Sequence, residues 1–150
     1  MKLFVKDNQN ISETEVEIRC QNRDEEVENL VNAINLAGNT LMGEKENGDK
    51  TPVYVSKILY IEAVDRNVFA YTPDEIYRIK RTLFDLEEVL SKEYFTRISK
   101  SSIVNLKSVR KISPDDSRRL KLLLKNGEWI MVSRNYVSDF KKSIGMKGEK

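Results

Sequence analysis

Positively charged side chains are concentrated between Arg97 and Arg134, where ten lysines and arginines face only three carboxylates. Duplex DNA is a dense line of phosphates, and neutralising them releases condensed counterions, so clustered cations favour binding to it. A basic patch is not specific by itself, because many proteins carry one only as a charged surface. The ten cations are Arg97, Lys100, Lys107, Arg110, Lys111, Arg118, Arg119, Lys121, Lys125 and Arg134.

The order of residues within this stretch is more informative than its charge. Residues 95–105 place hydroxyls and cations between two apolar strand ends, which predicts a short loop that offers hydroxyl and amide groups to phosphates and a long cation to bases. Residues 132–136 form a second such place. There Ser133 can bond a phosphate oxygen, and Arg134 has the forked donors that match guanine in the major groove.

Catalysis is not favoured by the sequence. There are no histidines, so the usual general base near neutral pH and the commonest metal ligand are both missing. A serine-lysine pair around Lys100 would need a desolvated lysine, and the surrounding run is strongly basic. Asp115 with Asp116 and Glu87 with Glu88 are interpreted as solvated acid pairs. We therefore expect a protein that is not an enzyme and needs no cofactor or metal.

Composition predicts a soluble cytoplasmic chain whose charge is divided unevenly. Of its 150 residues, 26 are basic and 24 acidic, but residues 1–50 hold six basic against eleven acidic side chains and the remainder is basic. The single Cys20 cannot form an intrachain disulfide and suits a reducing compartment. The N-terminus does not resemble a signal sequence, and no apolar run is long enough to span a membrane.

The first 45 residues are predicted to form a small acidic strand-strand-helix unit. Residues 2–5 suggest a short strand, and residues 14–20 alternate apolar and charged side chains as a half-buried strand does. Asp24 precedes an apolar stripe at helical spacing, and Gly38 suits the end of that helix. Residues 39–50 are charged and rich in glycine, so they are interpreted as a connector, with at most one strand turn inside it.

A second domain is predicted over residues 52–146, mainly of β structure. Short branched and aromatic segments follow one another without long intervening helices, so the sheets should be antiparallel. Asn126 followed by Gly127 is the strongest hairpin signal. Thr82 caps a short helix, and a second short helix precedes Gly145. The predicted strands are 53–55, 58–64, 68–72, 76–81, 95–98, 102–106, 109–112, 118–124 and 128–132.

These residues resemble the LytTR-type DNA-binding domains of bacterial transcription regulators over roughly residues 52–145. The fold class implied is elongated stacked antiparallel β-sheets with short helices, preceded here by the small α+β N-terminal unit. The matching residues are Ile58, Tyr60, Ile61, Glu62, Ala63, Leu83, Leu86, Phe95, Arg97, Ile98, Ser99, Lys100, Ser101, Ile103, Val104, Asn105, Asn126, Gly127, Glu128, Val132, Ser133, Arg134 and Tyr136.

The resemblance implies that three loops at one edge read successive major grooves of double-stranded DNA. Carried over by position, they are residues 65–67, 99–102 and 133–135. Base contacts are then expected from Lys100, Arg134, Asn67 and Arg66. Phosphate contacts are expected from Arg97, Ser99, Ser101, Ser102, Ser133 and Asn135.

Each of these choices competes with a structural interpretation. Arg97 could instead be a sheet cation paired with Glu62, and Ser101 could orient its loop. Asn105 is interpreted as satisfying backbone groups of a turn. Trp129 and Tyr60 are interpreted as core residues, with stacking on unpaired bases as the functional alternative.

The resemblance further implies a transcription regulator that binds promoter repeats as a homodimer and has no small-molecule substrate. The N-terminal unit is too short for a phosphorylated receiver domain, so the chain resembles free-standing regulators that are often restrained by a small membrane protein. The rival interpretation is a protein-interaction module whose basic β surface binds an acidic protein.

Overall fold

The structure is a computed structural model that describes residues 1–12, 14–37 and 39–145. It is mainly β, with two antiparallel sheets and three α-helices, which confirms the predicted fold class. The helices are α1 (Glu25–Ala37), α2 (Leu83–Leu90) and α3 (Val137–Ser143). The strands are β1 (Thr40–Glu44), β2 (Lys50–Tyr54), β3 (Tyr60–Val64), β4 (Asn67–Tyr71), β5 (Ile76–Ile79), β6 (Phe95–Arg97), β7 (Ser102–Asn105), β8 (Val109–Pro114), β9 (Leu120–Leu124) and β10 (Trp129–Val132).

Seven strands form the larger sheet in the order β2-β1-β5-β4-β3-β7-β6, and three form the smaller sheet in the order β10-β9-β8. On β3, Ile61 packs into a first core beneath α2, whereas its neighbour Tyr60 packs into a second core with the smaller sheet. On β7, Ile103 and Val104 divide between the two cores in the same way. Because side chains alternate along a strand, β7 is buried on both faces, and so is β3 at Tyr60 and Ile61.

Local sequence signals account for most element ends. Asp24 Oδ1 accepts a hydrogen bond from the Val27 amide at 3.0 Å and caps α1, and Thr82 Oγ1 accepts from the Asp85 amide at 3.1 Å and caps α2. Gly127 has a φ of 88° and closes the β9–β10 hairpin, as its sequence predicts. The predicted role of Gly38 lies outside the described residues.

The two strands expected near the N-terminus are not formed. Residues 2–5 and 14–20 have no regular secondary structure, and Leu3 and Val16 are 88% and 62% exposed. An alternating pattern makes a strand only when a neighbouring strand supplies its backbone hydrogen bonds, and no strand pairs with either segment within the described residues.

The connector predicted over residues 39–50 is wrong as well, because this region contains most of the hairpin β1–β2. Leu41 lies opposite Val53 and both are buried, while Gly48 turns the chain with a φ of 92°. β1 also pairs with β5 through Glu44 and Arg78, which extends the larger sheet. The charged composition concealed a single buried pair that is enough to fix the hairpin. The division into residues 1–45 and 52–146 stays a prediction.

The two aromatic residues predicted to lie in the core, Tyr60 and Trp129, have different environments in the structure. Tyr60 is 6% exposed, stacks on Tyr71 with ring centroids 4.4 Å apart, and donates a 2.8 Å hydrogen bond to Glu128. Burial, followed by that hydrogen bond, raises the pKa of Tyr60 well above its ordinary value of 10.0. Trp129 is not a core residue, since it is 45% exposed and lies under the Lys121 ammonium, 5.0 Å from its ring centroid.

Gly43→Ala is expected to destabilise the protein by about 1–3 kcal/mol, although alanine normally suits a strand better than glycine. An added Cβ would lie 2.6 Å from Val53 Cγ2 and 2.9 Å from Tyr77 Cβ. Urea unfolding measures the loss. The double variant Gly43→Ala/Val53→Ala should cost less than the sum of the two single changes, and strict additivity would contradict this packing.

Tyr60→Phe should make the alkaline loss of stability shallower. Above pH 10 the unfolded chain releases the Tyr60 proton while the folded chain, with its raised pKa, retains it, so the free energy of unfolding falls as pH rises. Phenylalanine removes that contribution and also costs about 0.5–1.5 kcal/mol at pH 7 through the lost hydrogen bond. Urea unfolding from pH 7 to pH 11 measures both effects, and equal slopes above pH 10 for the two proteins would contradict the assignment.

Candidate nucleic-acid interface

Three chain turns lie side by side at one end of the larger sheet, and we call residues 65–67, 99–101 and 133–135 the rim. The first turn joins β3 to β4, the second joins β6 to β7, and the third follows β10. The Ala63 amide donates to the Ser101 carbonyl at 2.8 Å, and the Ser133 amide donates to the Ile98 carbonyl at 2.8 Å. These two backbone hydrogen bonds tie each outer turn to the central one.

The first turn is a two-residue hairpin connection with both central residues in the left-handed region. Asp65 has a φ of 50° and Arg66 a φ of 68°, and Val64 pairs directly with Asn67 across the turn. Glycine and asparagine usually occupy such positions, because a Cβ is strained there. The turn leaves Arg66 exposed and Asn67 partly buried. The side-chain Nδ2 of Asn67 donates to the Asp65 carbonyl at 3.4 Å.

The central turn is held from beneath by Arg97. Its Nε donates to the Ser99 carbonyl at 2.7 Å, and its Nη2 donates to the Lys100 carbonyl. Its Nη1 lies 3.3 Å from Glu87 of α2, so the guanidinium is fixed on both sides. The pairing with Glu62 that the sequence suggested is not the one formed. With its guanidinium so engaged, Arg97 is placed to position the loop around Lys100.

Serine side chains complete the central turn. The Ser101 backbone amide donates to Ser99 Oγ at 3.1 Å, so the Ser99 hydroxyl stabilises the loop, while the part expected of Ser101 stays a prediction. Lys100 between them is exposed. Ser102 is only 9% exposed, and its hydroxyl lies 3.4 Å from Glu62, so its position does not favour the direct phosphate contact expected of it.

The third turn is a single turn of 3-10 helix, Arg134–Tyr136, that leads into α3. Val132 before it and Phe140 after it are fully buried in the second core, so the turn is anchored at both ends. Arg134 and Asn135 are exposed, and Ser133 is partly buried.

The rim carries free positive charge. Arg66, Lys100 and Arg134 are exposed, and none of them makes an ion pair within the described ranges. Unpaired exposed cations can meet phosphates or bases without first breaking a salt bridge. Backbone hydrogen bonds thus link the three segments whose loops carry the expected cations, and Ser99, Ser101, Ser133 and Asn135 belong to two of those loops.

Sequence reasoning missed one residue of this arrangement and interpreted another correctly. Glu87 was interpreted as a solvated surface acid, but it holds Arg97, and no local pattern connects two residues ten positions apart on different elements. Asn105 is 2% exposed, donates to the Ile58 carbonyl at 2.9 Å and accepts from the Lys107 amide at 3.0 Å. Its predicted role in satisfying backbone groups is confirmed.

No helix within residues 1–12, 14–37 and 39–145 is both long and apolar enough to cross a membrane. The same ranges contain no group of three or more acidic or cysteine side chains arranged to hold a metal ion. The three α-helices are separated from one another by strands, so no two of them form the consecutive pair of a helix-turn-helix.

Arg66→Gly should stabilise the protein relative to Arg66→Ala by roughly 0.5–1 kcal/mol. Both changes remove the same guanidinium, but only glycine relieves the steric strain that a Cβ causes in the left-handed backbone conformation at this position. Thermal or urea unfolding of the two variants gives the difference. A more stable alanine variant would show that the turn adopts another conformation.

Comparison with known proteins gives one consistent result. A sequence model of the family described as the LytTr DNA-binding domain matches residues 49–145. A solved LytTr DNA-binding domain from Bacillus cereus superposes with a TM-score of 0.68 and 31% sequence identity, covering 72% of this chain and 98% of that one.

Several relatives match over nearly the whole chain, and two of them illustrate the similarity. Both are uncharacterized HTH-type transcriptional regulators of Staphylococcus aureus, from strains bovine RF122 / ET3-1 and NCTC 8325 / PS 47. They are 27% and 28% identical over 148 residues, which is 97% of this chain and 99% of each relative.

Proposed function

The chain belongs to the LytTR family of DNA-binding domains, and on this premise we propose that it reads promoter DNA through its rim as a sequence-specific transcription regulator. The family is one of DNA-binding domains rather than enzymes. The proposal is supported by the pair of backbone hydrogen bonds, Ala63 to Ser101 and Ser133 to Ile98, that join the loops on which three exposed cations lie.

Base recognition in this proposal falls to the long side chains at the tips of the three turns. Arg134 presents a planar fork that can donate two hydrogen bonds to guanine, and Lys100 extends from the centre of the rim. Arg66 or Asn67, from the first turn, makes the base contact in the remaining major groove. The exposure of Arg66, Lys100 and Arg134 and their freedom from ion pairs support these roles.

Phosphate contacts fall to the short polar groups beside those tips, namely Ser99, Ser101, Ser133 and Asn135. Such contacts fix the orientation of the protein on the duplex. The salt-dependent affinity comes from the exposed lysines and arginines, because only a cation that neutralises a phosphate releases counterions. In this proposal Arg97 and Ser102 do not contact DNA but support the residues that do. Arg97 holds two loop carbonyls and Ser102 is buried, so both shape the loop that presents Lys100.

We further propose that two copies act together on spaced repeats in the cytoplasm, where the chromosome lies. Leu3, Phe4, Val5 and Val16 are exposed in an acidic N-terminal segment, and a second copy can cover such an apolar surface. A small membrane protein that restrains the regulator would use the same segment.

One observation favours the rival function of binding an acidic protein. Trp129 and Met131 are exposed on the outer face of the smaller sheet, next to Lys121. Aromatic and methionine side chains are enriched at protein–protein interfaces, and the Lys121 ammonium beside them can pair with a carboxylate of an acidic partner.

Selection from a randomised duplex library, followed by titration, separates the two functions. The DNA reader should prefer the selected duplex over a scrambled duplex of the same composition. Its affinity should fall steeply between 50 and 200 mM salt, by about 10³–10⁵ where lysines and arginines neutralise roughly 6–10 phosphates. If no sequence is enriched and the salt dependence is weak, the rim is not a DNA-reading surface.

Arg134→Ala should reduce affinity for the selected duplex by about 1–3 kcal/mol and relax the preference at one base pair. Lys107→Ala is the matched control, because Lys107 is exposed outside the rim and stacks on Tyr94 at 4.3 Å from the ring centroid. Its loss should weaken selected and scrambled duplexes alike. Fluorescence anisotropy on both duplexes measures the effects, and an equal loss on both for Arg134→Ala would limit that residue to phosphate binding.

A further inference from the structure

A fourth chain turn lies beside the rim and has no part in the function proposed above. It consists of residues 115–119 and joins β8 to β9. Leu120 of β9 lies opposite both Val132 of β10 and Pro114 of β8, so the ends of the three strands meet at one edge of the smaller sheet. Because Val132 leads directly into Ser133, the β8–β9 turn is the neighbour of the third turn of the rim.

The β8–β9 turn repeats the backbone conformation of the first turn of the rim. Ser117 and Arg118 have φ angles of 62° and 63°, and Asp65 and Arg66 have φ angles of 50° and 68°. Among the described residues, these are the two places where successive residues other than glycine have a positive φ. A Cβ is strained in this conformation, and such strain is concentrated at functional sites. In both turns the second left-handed residue is an exposed arginine.

The two arginines of the β8–β9 turn have different environments. Arg119 Nη2 donates to Asp115 Oδ2 at 3.0 Å, and Arg119 Nε donates to the Asp116 carbonyl at 3.4 Å, so this arginine stabilises the turn. Arg118 makes no ion pair in the parts of the chain that the structure describes. Arg118 and the Asp116 side chain are both exposed, so a phosphate beside this turn would meet one charge of each sign.

The spacing of the strands matches a contact to the DNA backbone rather than to a base. Neighbouring strands lie about 4.8 Å apart, so the β8–β9 turn is roughly 5–10 Å from the end of β10. The major groove is about 12 Å wide. A group at this distance from a side chain that reads the middle of the groove therefore reaches the phosphates that border it.

We propose, on the premise of the function above, that the β8–β9 turn is a fourth DNA-contacting turn and that Arg118 binds a backbone phosphate bordering the groove read by Arg134. The phosphate lies within about three nucleotides of the base pair that Arg134 contacts, because successive phosphates of one strand are about 3.4 Å apart along the helix axis. Such a contact adds affinity and fixes the orientation of the protein, but it reads no sequence.

Fluorescence anisotropy on the full chain, with the selected and the scrambled duplex, tests the contact through variants of opposite sign. Arg118→Ala should weaken binding to both duplexes by about three- to tenfold and reduce the slope of log affinity against log salt by about 0.9, the value for one phosphate. Arg118→Gly removes the same charge without strain in the left-handed conformation and should behave alike. Asp116→Asn removes a charge that repels phosphates and should tighten binding to both duplexes by about two- to threefold.

Arg110→Ala is the matched control for these variants. Arg110 is also an exposed arginine of β8 without an ion pair in the described ranges, but it lies at the opposite end of that strand. Its replacement should leave the affinity and the salt slope unchanged.

Replacing single phosphates of the selected duplex with uncharged methylphosphonates locates the contact. The wild-type protein should lose affinity at one phosphate within about three nucleotides of the base pair whose preference Arg134→Ala relaxes. The Arg118→Ala variant should lose no further affinity at that phosphate, because the side chain that would contact it is gone.

The outcomes separate this contact from the proposed function. A wild-type chain that prefers no duplex would overturn both. A wild-type chain that prefers the selected duplex, with Arg118→Ala and Arg118→Gly retaining its affinity and salt slope, would overturn the fourth turn alone. Equal losses of wild type and Arg118→Ala at every methylphosphonate would do the same.

Discussion

Burial on both faces of β7, and of β3 at Tyr60 and Ile61, is the constraint on which the rest of the structure depends. Ile61 and Ile103 are fully buried on one side, and Tyr60 and Val104 are almost as completely buried on the other. A slip of one residue in either strand would exchange the two sets and place the wrong side chain in each core, so the register is strongly specified. The same register fixes where β3 turns into β4 and where β6 turns into β7. The central and first turns of the rim therefore inherit their alignment from the two cores.

Elements with local sequence signals were predicted correctly. Predictions failed where the formation of an element depends on residues far away in the chain. Thr82 and Asn126 with Gly127 act through their immediate neighbours, and the structure has the expected helix and hairpin at these positions. Residues 14–20 alternate as a strand does, but alternation does not supply a neighbouring strand, and the segment stays exposed. The hairpin β1–β2, in contrast, forms although the sequence did not predict it. Its charged composition hides one buried pair, Leu41 with Val53.

The rim shows the same limit. Residue order predicted the central and third loops, only the resemblance gave the first loop, and composition alone would have given no more than a basic patch. The partner of Arg97 could not be predicted, because Glu87 comes from α2 and reaches the arginine only once that helix has packed on the sheet. What the structure adds is rigidity. The Ser99 and Lys100 carbonyls are held by one guanidinium, so little loop freedom is lost when a ligand is bound.

The hydrogen bond between Ser133 and Ile98 joins segments that lie 35 positions apart and belong to different sheets. It can form only after the smaller sheet has packed on the larger one and Phe140 has entered the second core. A nascent chain still missing α3 on the ribosome would hold its central turn but not the complete rim. The three turns of the rim are therefore joined only when synthesis is nearly finished.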